Sequence, residues 1–264
     1  MGSRFLEDQI TIVTGASSGI GRATALALAE AGAHLVLAAR SVAALQDVAH
    51  QIEALGREAL VVPTDVTQRD QVEGLVARTL DRWGRVDLLV ANAGQYVRCS
   101  ATEVEVADLE RSLAVNFFGV VYTILAVRSH MLARRRGHIV LMSSLDGKKG
   151  MPQDGPYAAA KFALAGFGEV LRQELAPHGI CVTTVFPGRV DTPMIESLRV
   201  PWVSPKIPAA AVARAVLRGI RRRRAEVIVP AIYGLLLPLN GLLPRLGDGF
   251  VRACHIEGWE EEEG

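Results

Sequence analysis

Short apolar runs separated by stretches of helical periodicity fill the first two thirds of the 264-residue chain. Residues 9–14, 34–39, 59–62, 87–91, 138–143 and 181–186 are nearly continuous in apolar side chains, the pattern of strands covered on both faces. Between them apolar residues recur every three or four positions, as on helices that bury one side. Strands alternating with helical crossovers predict a parallel sheet flanked by helices, a doubly wound α/β fold. Right-handed crossovers then align every strand's carboxyl end, so the loops after residues 14, 39, 62, 91, 143 and 186 share one rim. We read a single domain over residues 1–264, since one α/β domain routinely reaches this length.

The pattern loosens at 187–208, where Pro187, Pro193, Pro201, Pro205 and Pro208 mark a segment long enough to be a functional lid. A helical stretch follows at 209–220, then the basic run Arg221 to Arg224 and a strand-like 226–229. Cations there complement a helix C-terminus, or they serve an anionic membrane surface or a cofactor phosphate. Residues 230–264 form an apolar C-terminal extension with an acidic tail at 260–263, expected to fray. The leucine-rich 228–246 is broken by Pro230, Pro238, Asn240 and Pro244, too interrupted to cross a bilayer but able to lie on one.

Composition narrows the function. Half the residues are apolar, 22% are charged, and the net charge of +1 gives no field for nucleic acid. Cys99, Cys181 and Cys254 are far apart and lack metal spacing, so neither a disulfide framework nor a metal site is expected. The opening Met1-Gly2-Ser3-Arg4 is not a charged-then-apolar leader, and Leu6 stands where myristoylation needs Ser or Thr, so a cytoplasmic location is expected.

The candidate chemistry lies on the predicted rim. Thr14-Gly15-Ala16-Ser17-Ser18-Gly19-Ile20-Gly21 joins the first strand to the first helix; glycines there allow a tight turn and let a pyrophosphate reach the helix N-terminus. At the end of the second strand, where a ribose-binding acid is usual in dinucleotide sites, the chain has Arg40, which suits a 2′-phosphate and hence NADP(H) over NAD(H). Arg40 equally fits a solvated helix start, and Asp65-Val66 fits either an adenine edge or a helix cap. Tyr157 and Lys161, four apart, share a helix face thirteen residues beyond Ser144. An ammonium beside the phenol favours phenolate and proton exchange near neutral pH, although an ordinary amphipathic helix has the same spacing.

Together with Asn92-Ala93-Gly94, Asn116 and Pro187-Gly188 through Thr192, these residues resemble the short-chain dehydrogenase/reductase family, in order from about residue 7 to about 195. The resemblance implies a Rossmann fold and a catalytic tetrad of Asn116, Ser144, Tyr157 and Lys161. Tyr157 would protonate a carbonyl oxygen as hydride arrives from the nicotinamide, Ser144 would orient that oxygen, Lys161 would lower the phenol pKa and hold the ribose, and Asn116 would anchor a water. Cofactor contacts are implied at Gly15, Ser17, Ser18, Gly19, Ile20, Gly21, Arg40, Asp65, Val66, Asn92, Ala93, Gly94, Tyr157, Lys161, Pro187, Gly188, Val190 and Thr192. Ser144, Asp146 and Tyr157 would meet the substrate. Homodimers or homotetramers are common in the family.

Two departures stand out. The family's double asparagine is Ala91-Asn92 here, which removes one bracing side chain. Asp146 stands where a small apolar residue often faces substrate in that family; it either disfavours acidic substrates or hydrogen-bonds a polar group on them, or turns to solvent and pairs with Lys148 or Lys149. The expected activity is reduction of a ketone or oxidation of a secondary alcohol, with a lipophilic 3-oxoacyl, keto-sphingoid or steroid substrate if Trp202-Val203 and residues 233–243 fold near the lid. Basic Arg189, Arg199 and Lys206 keep a charged small substrate open, and a non-catalytic NADP(H)-binding sensor or scaffold is the alternative class.

Overall fold

The computed structural model describes residues 5–260; the opening tetrapeptide and positions 261–264 of the acidic tail lie outside the described residues. In chain order the main elements are β1 (Ile10–Thr14), α1 (Gly19–Glu30), β2 (His34–Ala39), α2 (Val42–Ala54), β3 (Ala59–Pro63), α3 (Arg69–Trp83) and β4 (Leu88–Ala91). They continue with α4 (Val106–Leu113), α5 (Gly119–Arg134), β5 (Gly137–Met142), α6 (Gly155–Leu175) and β6 (Ile180–Pro187). Short strands β7 (Val190–Asp191), β8 (Leu198–Arg199) and β9 (Ile207–Pro208) precede α7 (Ala209–Arg221), β10 (Glu226–Val229), α8 (Tyr233–Leu242), α9 (Pro244–Ala253) and β11 (Trp259–Glu260).

Seven strands form one parallel sheet in the order β10-β6-β5-β4-β1-β2-β3. The chain reverses direction across the sheet between β1 and β4, which opens a crevice at their carboxyl ends. Side chains alternate between two cores. Val13, Leu35, Leu37, Leu88, Val90 and Val140 pack on one face with α1, α2 and α7. Ile12, Val36, Leu89, Ala91, Ile139 and Leu141 pack on the other with α3, α5 and α6. Because both faces are covered, the strands are mostly apolar, and truncating one such leucine to alanine costs about 2–5 kcal/mol.

Three regions carry structure that the sequence pattern did not assign. Within residues 187–208, β7 pairs with β9 in parallel, and β8 pairs antiparallel with β11. A π-helical turn, Ala114–Phe118, joins α4 to α5. The leucine-rich 228–246 becomes β10 followed by the two short helices α8 and α9. The basic run caps α7, and Arg221 lies over the Phe5 ring at 5.9 Å, so this cation packs against the body of the protein.

Candidate active site

The carboxyl ends of the central strands enclose a cavity of about 570 Å³ that runs from the glycine turn to α8 and α9. At its first end, Gly15 and Gly19 have φ of 65° and 52°, a left-handed conformation that favours glycine. A Cβ on Gly21 would sit 2.0 Å from the Gly15 carbonyl oxygen and 2.6 Å from Asn92 Nδ2. Asn92 Nδ2 donates to the carbonyls of Thr14 (3.0 Å) and Gly15 (3.3 Å), while Thr14 Oγ1 accepts from the Asn92 and Ala93 amides. Ser17, Ser18, Gly19 and Ile20 line the cavity, and the Ser18 side chain makes no capping bond to α1. The first amides of α1 are thereby left to an anion, so the residues present fit a dinucleotide pyrophosphate.

Further along, Arg40 is exposed, lines the cavity and forms no ion pair among the described residues. Asp65 Oδ1 accepts from the Thr67 amide (2.9 Å) and hydroxyl (2.8 Å), bonds that hold its carboxyl below the usual range. Gln68 is the residue at the N-cap of α3, so Asp65 closes the turn before the helix instead of capping it. Val66, Ala93, Gly94, Pro187, Gly188, Val190 and Thr192 all line the same cavity.

Asn116 sits fully buried in the π-helical turn. Its Nδ2 donates to the carbonyls of Gln95 (2.7 Å) and Ser112 (3.0 Å), and its Oδ1 accepts from the Gln95 amide (3.1 Å). Gly94 is needed beside it: a Cβ there would lie 2.9 Å from Asn116 Oδ1. Lys161, 3% exposed, donates to the Met142 carbonyl (2.9 Å), and burial lowers its pKa to about 8.

The phenol of Tyr157 runs opposite to the expected lowering by Lys161: burial pushes it up, and negative charge at Asp146 adds to the rise. The ammonium is turned to Met142 and lies over the tyrosine ring, 5.4 Å from its centroid, so it does little for the hydroxyl. Hydrogen bonding from Ser144 works in the lowering direction.

Asp146 is not paired with either flanking lysine. Lys148 bonds Glu226 at 2.7 Å, and Lys149 bonds Asp248. Instead Asp146 Oδ2 accepts from Ser144 Oγ (2.9 Å), Ser144 Oγ accepts from the Asp146 amide (3.1 Å), and Oδ1 is enclosed without a hydrogen-bond partner among the described residues. Burial raises its pKa.

Sequence reasoning missed Tyr96, Arg98 and Asp154. The Tyr96 hydroxyl donates to Asp154 Oδ1 at 2.5 Å, and its ring meets Tyr157 edge-on with centroids 5.3 Å apart. Asp154, at the N-cap of α6 and 3% exposed, has its pKa pushed up to about 7 by burial and then by Asp146. Arg98 Nη1 lies 3.9 Å from Asp154 and donates, with Nη2, to the Glu257 and Gly258 carbonyls at 3.0 and 2.8 Å. The available signal was Asp154 standing three residues, almost one helical turn, ahead of Tyr157.

The distal end of the cavity is apolar, with Met194, Leu198, Tyr233, Leu237, Phe250 and Ile256 among its lining. Trp202, 89% exposed, and Val203 do not line it, which corrects the expectation for that pair. Of the three basic lid residues only Arg189 lines the cavity; Lys206 is held by the Ile195 and Glu196 carbonyls.

A doubly wound sheet with a glycine turn at its crevice, facing a serine, tyrosine and lysine across one cavity, defines a nicotinamide-dependent oxidoreductase of the Rossmann class. Residues 9–201 match the short chain dehydrogenase family, and the chain belongs to that family. It is 38% identical over 206 residues to a 3-oxoacyl-[acyl-carrier-protein] reductase of Synechocystis, covering 78% of this chain and 83% of that one. It is 31% identical over 250 residues to a fatty acyl-CoA reductase of Acinetobacter baylyi, covering 92% and 85%. A short chain dehydrogenase/reductase from Burkholderia phymatum, solved in complex with NAD, superposes with a TM-score of 0.83 at 27% identity, covering 92% of this chain and 96% of that one.

Proposed function

We propose that this oxidoreductase transfers hydride between NADP(H) and a lipophilic ketone or secondary alcohol, 3-oxoacyl, keto-sphingoid or steroid-like in character. The observation that carries the reading is the gathering of Ser144, Tyr157 and Lys161 in a cavity whose other lining is the glycine turn on one side and apolar side chains on the other. The hydride chemistry belongs to the nicotinamide when bound. Tyr157 gives its proton to the carbonyl oxygen, Ser144 holds that oxygen, and Lys161 and Asn116 keep the phenol's proton supply in place. The first amides of α1 would hold the pyrophosphate, Arg40 would read the 2′-phosphate, Asp65 and Val66 would border the adenine, and 187–192 would border the carboxamide.

Two features favour a lipophilic substrate. The distal cavity is apolar, and α8 and α9 at its mouth expose Leu235, Leu242, Leu246 and Phe250 beside Arg245 and Arg252. That surface suits transient contact with an anionic bilayer from which such a substrate is drawn. Exposed Phe118, Leu125, Phe162 and Val170 on the π-helical turn, α5 and α6 suit a homodimer or homotetramer.

The direct test is NADPH oxidation, with NADH in parallel, against aliphatic, acyl-thioester, sphingoid and steroid ketones. Tyr157→Phe removes the proton donor and keeps the ring, so it is expected to bind NADPH normally and lose nearly all turnover. Near-normal turnover in that variant refutes the general-acid role. Tight NADPH binding without turnover of any ketone by the native protein supports a sensor or scaffold instead.

A further inference from the structure

Ser144 has one proton and too many acceptors for it. Its Oγ accepts from the Asp146 amide at 3.1 Å, which fixes the hydroxyl with its remaining hydrogen shared among Asp146 Oδ2 at 2.9 Å, the Tyr157 oxygen and the substrate oxygen. An ionised Asp146 is the strongest of these acceptors and takes the hydrogen, leaving Ser144 only lone pairs to offer a carbonyl oxygen. A protonated Oδ2 reverses the bond: Asp146 donates to Ser144, and the serine hydrogen is free for the substrate. The heavy-atom distance suits both directions.

Building on the proposed carbonyl chemistry, we infer that Asp146 is a positioning residue that works as an uncharged carboxylic acid, donating to Ser144 Oγ so that the serine hydrogen points at the reacting oxygen. Two observations and one electrostatic argument support the uncharged form. Its Oδ1 is enclosed with no hydrogen-bond partner among the described residues, a costly placement for a carboxylate with about four lone-pair sites. Both flanking lysines are engaged elsewhere. A negative charge there also opposes the charge that Tyr157 and the substrate oxygen develop during the reaction.

The groups facing Asp146 act in both directions. Arg189 after β6 and Lys161 on α6 favour the carboxylate, as does the Ser144 hydrogen bond. Asp154 at the start of α6, Tyr157 and the enclosure of the carboxyl itself favour the acid; enclosure is the largest contribution and carries Asp146 above the ordinary carboxylate range.

The test uses the native chain, Asp146→Asn, whose amide can donate permanently to Ser144, and Asp146→Ala, which cannot donate. Each is also made in an Asp154→Asn background so that the second acid does not titrate. Infrared difference spectra of the native chain minus Asp146→Asn, taken without substrate about two pH units above the ordinary carboxylate pKa, are expected to show the carbonyl stretch of a protonated acid. In ketone reduction the native-to-Asn ratio of kcat/KM is expected to be level at low pH and then fall about tenfold per pH unit as Asp146 ionises. Asp146→Ala is expected to lose kcat relative to the native chain at low pH, where the acid donates, and Asn is expected to rescue that loss at every pH. A missing infrared band, or a ratio that is level at all pH, overturns the inference. A native protein inert toward every ketone refutes the proposed function instead, and the infrared band still decides whether Asp146 keeps its proton.

Discussion

Replacing Gly119 by alanine puts a methyl group 2.7 Å from Val66 Cγ2, 3.1 Å from its Cβ and 3.2 Å from its carbonyl oxygen. Carbon atoms prefer roughly 3.5–4 Å, so the overlap approaches an ångström. Val66 is β-branched and stiff at χ1, and its backbone is among the atoms struck, so relief requires moving the start of α5 away from the β3 loop. Overpacking of this kind costs about 1–3 kcal/mol, against a gain of up to about 1 kcal/mol in helix propensity. Gly74→Ala in α3 isolates the propensity gain, because nothing lies within 4 Å of its added carbon. The propensity gain is common to both, so the two variants are expected to differ by the overpacking cost of about 1–3 kcal/mol, which at roughly 2–4 °C per kcal/mol separates their melting temperatures by about 2–12 °C. Because Val66 lines the cofactor cavity, Gly119→Ala is also expected to weaken NADPH binding in a fluorescence titration. Adding Val66→Ala is expected to return part of the lost stability, as coupled neighbours do in a double-mutant cycle. Equal melting shifts for the Gly74 and Gly119 variants, or no coupling to Val66, refute the steric argument.

Arg40→Asp is expected to raise the Kd for NADPH far more than that for NADH, since a carboxylate repels the 2′-phosphate; equal effects in calorimetry remove Arg40 from that role. Asp154→Asn keeps an acceptor for Tyr96 and removes a buried acid whose pKa is about 7 when folded against an ordinary 3.8. The folded native chain binds the extra proton, so it loses stability as pH rises from about 4 to 7. The variant's advantage should grow across that window toward a ceiling of about 4 kcal/mol, and a pH-independent difference in urea midpoints contradicts the assignment. Leu242→Glu with Leu246→Glu is expected to abolish flotation with anionic liposomes at low salt; a native chain that never floats rejects the bilayer contact. Phe118→Glu with Phe162→Glu is expected to yield monomers in analytical ultracentrifugation if those exposed rings form the subunit interface, and an unchanged mass locates the interface elsewhere.

The sheet was legible because burial on both faces leaves β4 apolar at every position and β1 apolar but for two buried threonines, a pattern few other environments demand. The glycine turn and the Tyr157–Lys161 spacing were legible because each is local. The π-helical turn around Asn116 was not, since one extra residue in an apolar helix leaves no mark that periodicity can register. The Tyr96–Asp154 pair joins residues 58 apart, and Arg98 reaches carbonyls some 160 positions away, so only the folded chain brings them together. The direction of the Tyr157 pKa was misread for the same reason: residue spacing puts a cation nearby, but it does not record that the ammonium turns to Met142 or that the phenol is enclosed.

The strap formed by Arg98, β11 and β8 ties residues 257–260 into the wall of the cavity. Arg98 grips two carbonyls just ahead of β11, and β11 is zipped to β8, whose Leu198 lines the cavity. Residues 198–199 and 259–260 are therefore held as one unit, so this wall of the cavity cannot shift without carrying β11 along or breaking the ladder. Cutting the chain ahead of Glu257 removes both the Arg98 contacts and the β8 ladder, and is expected to loosen this wall of the cavity, read as faster amide exchange around Leu198.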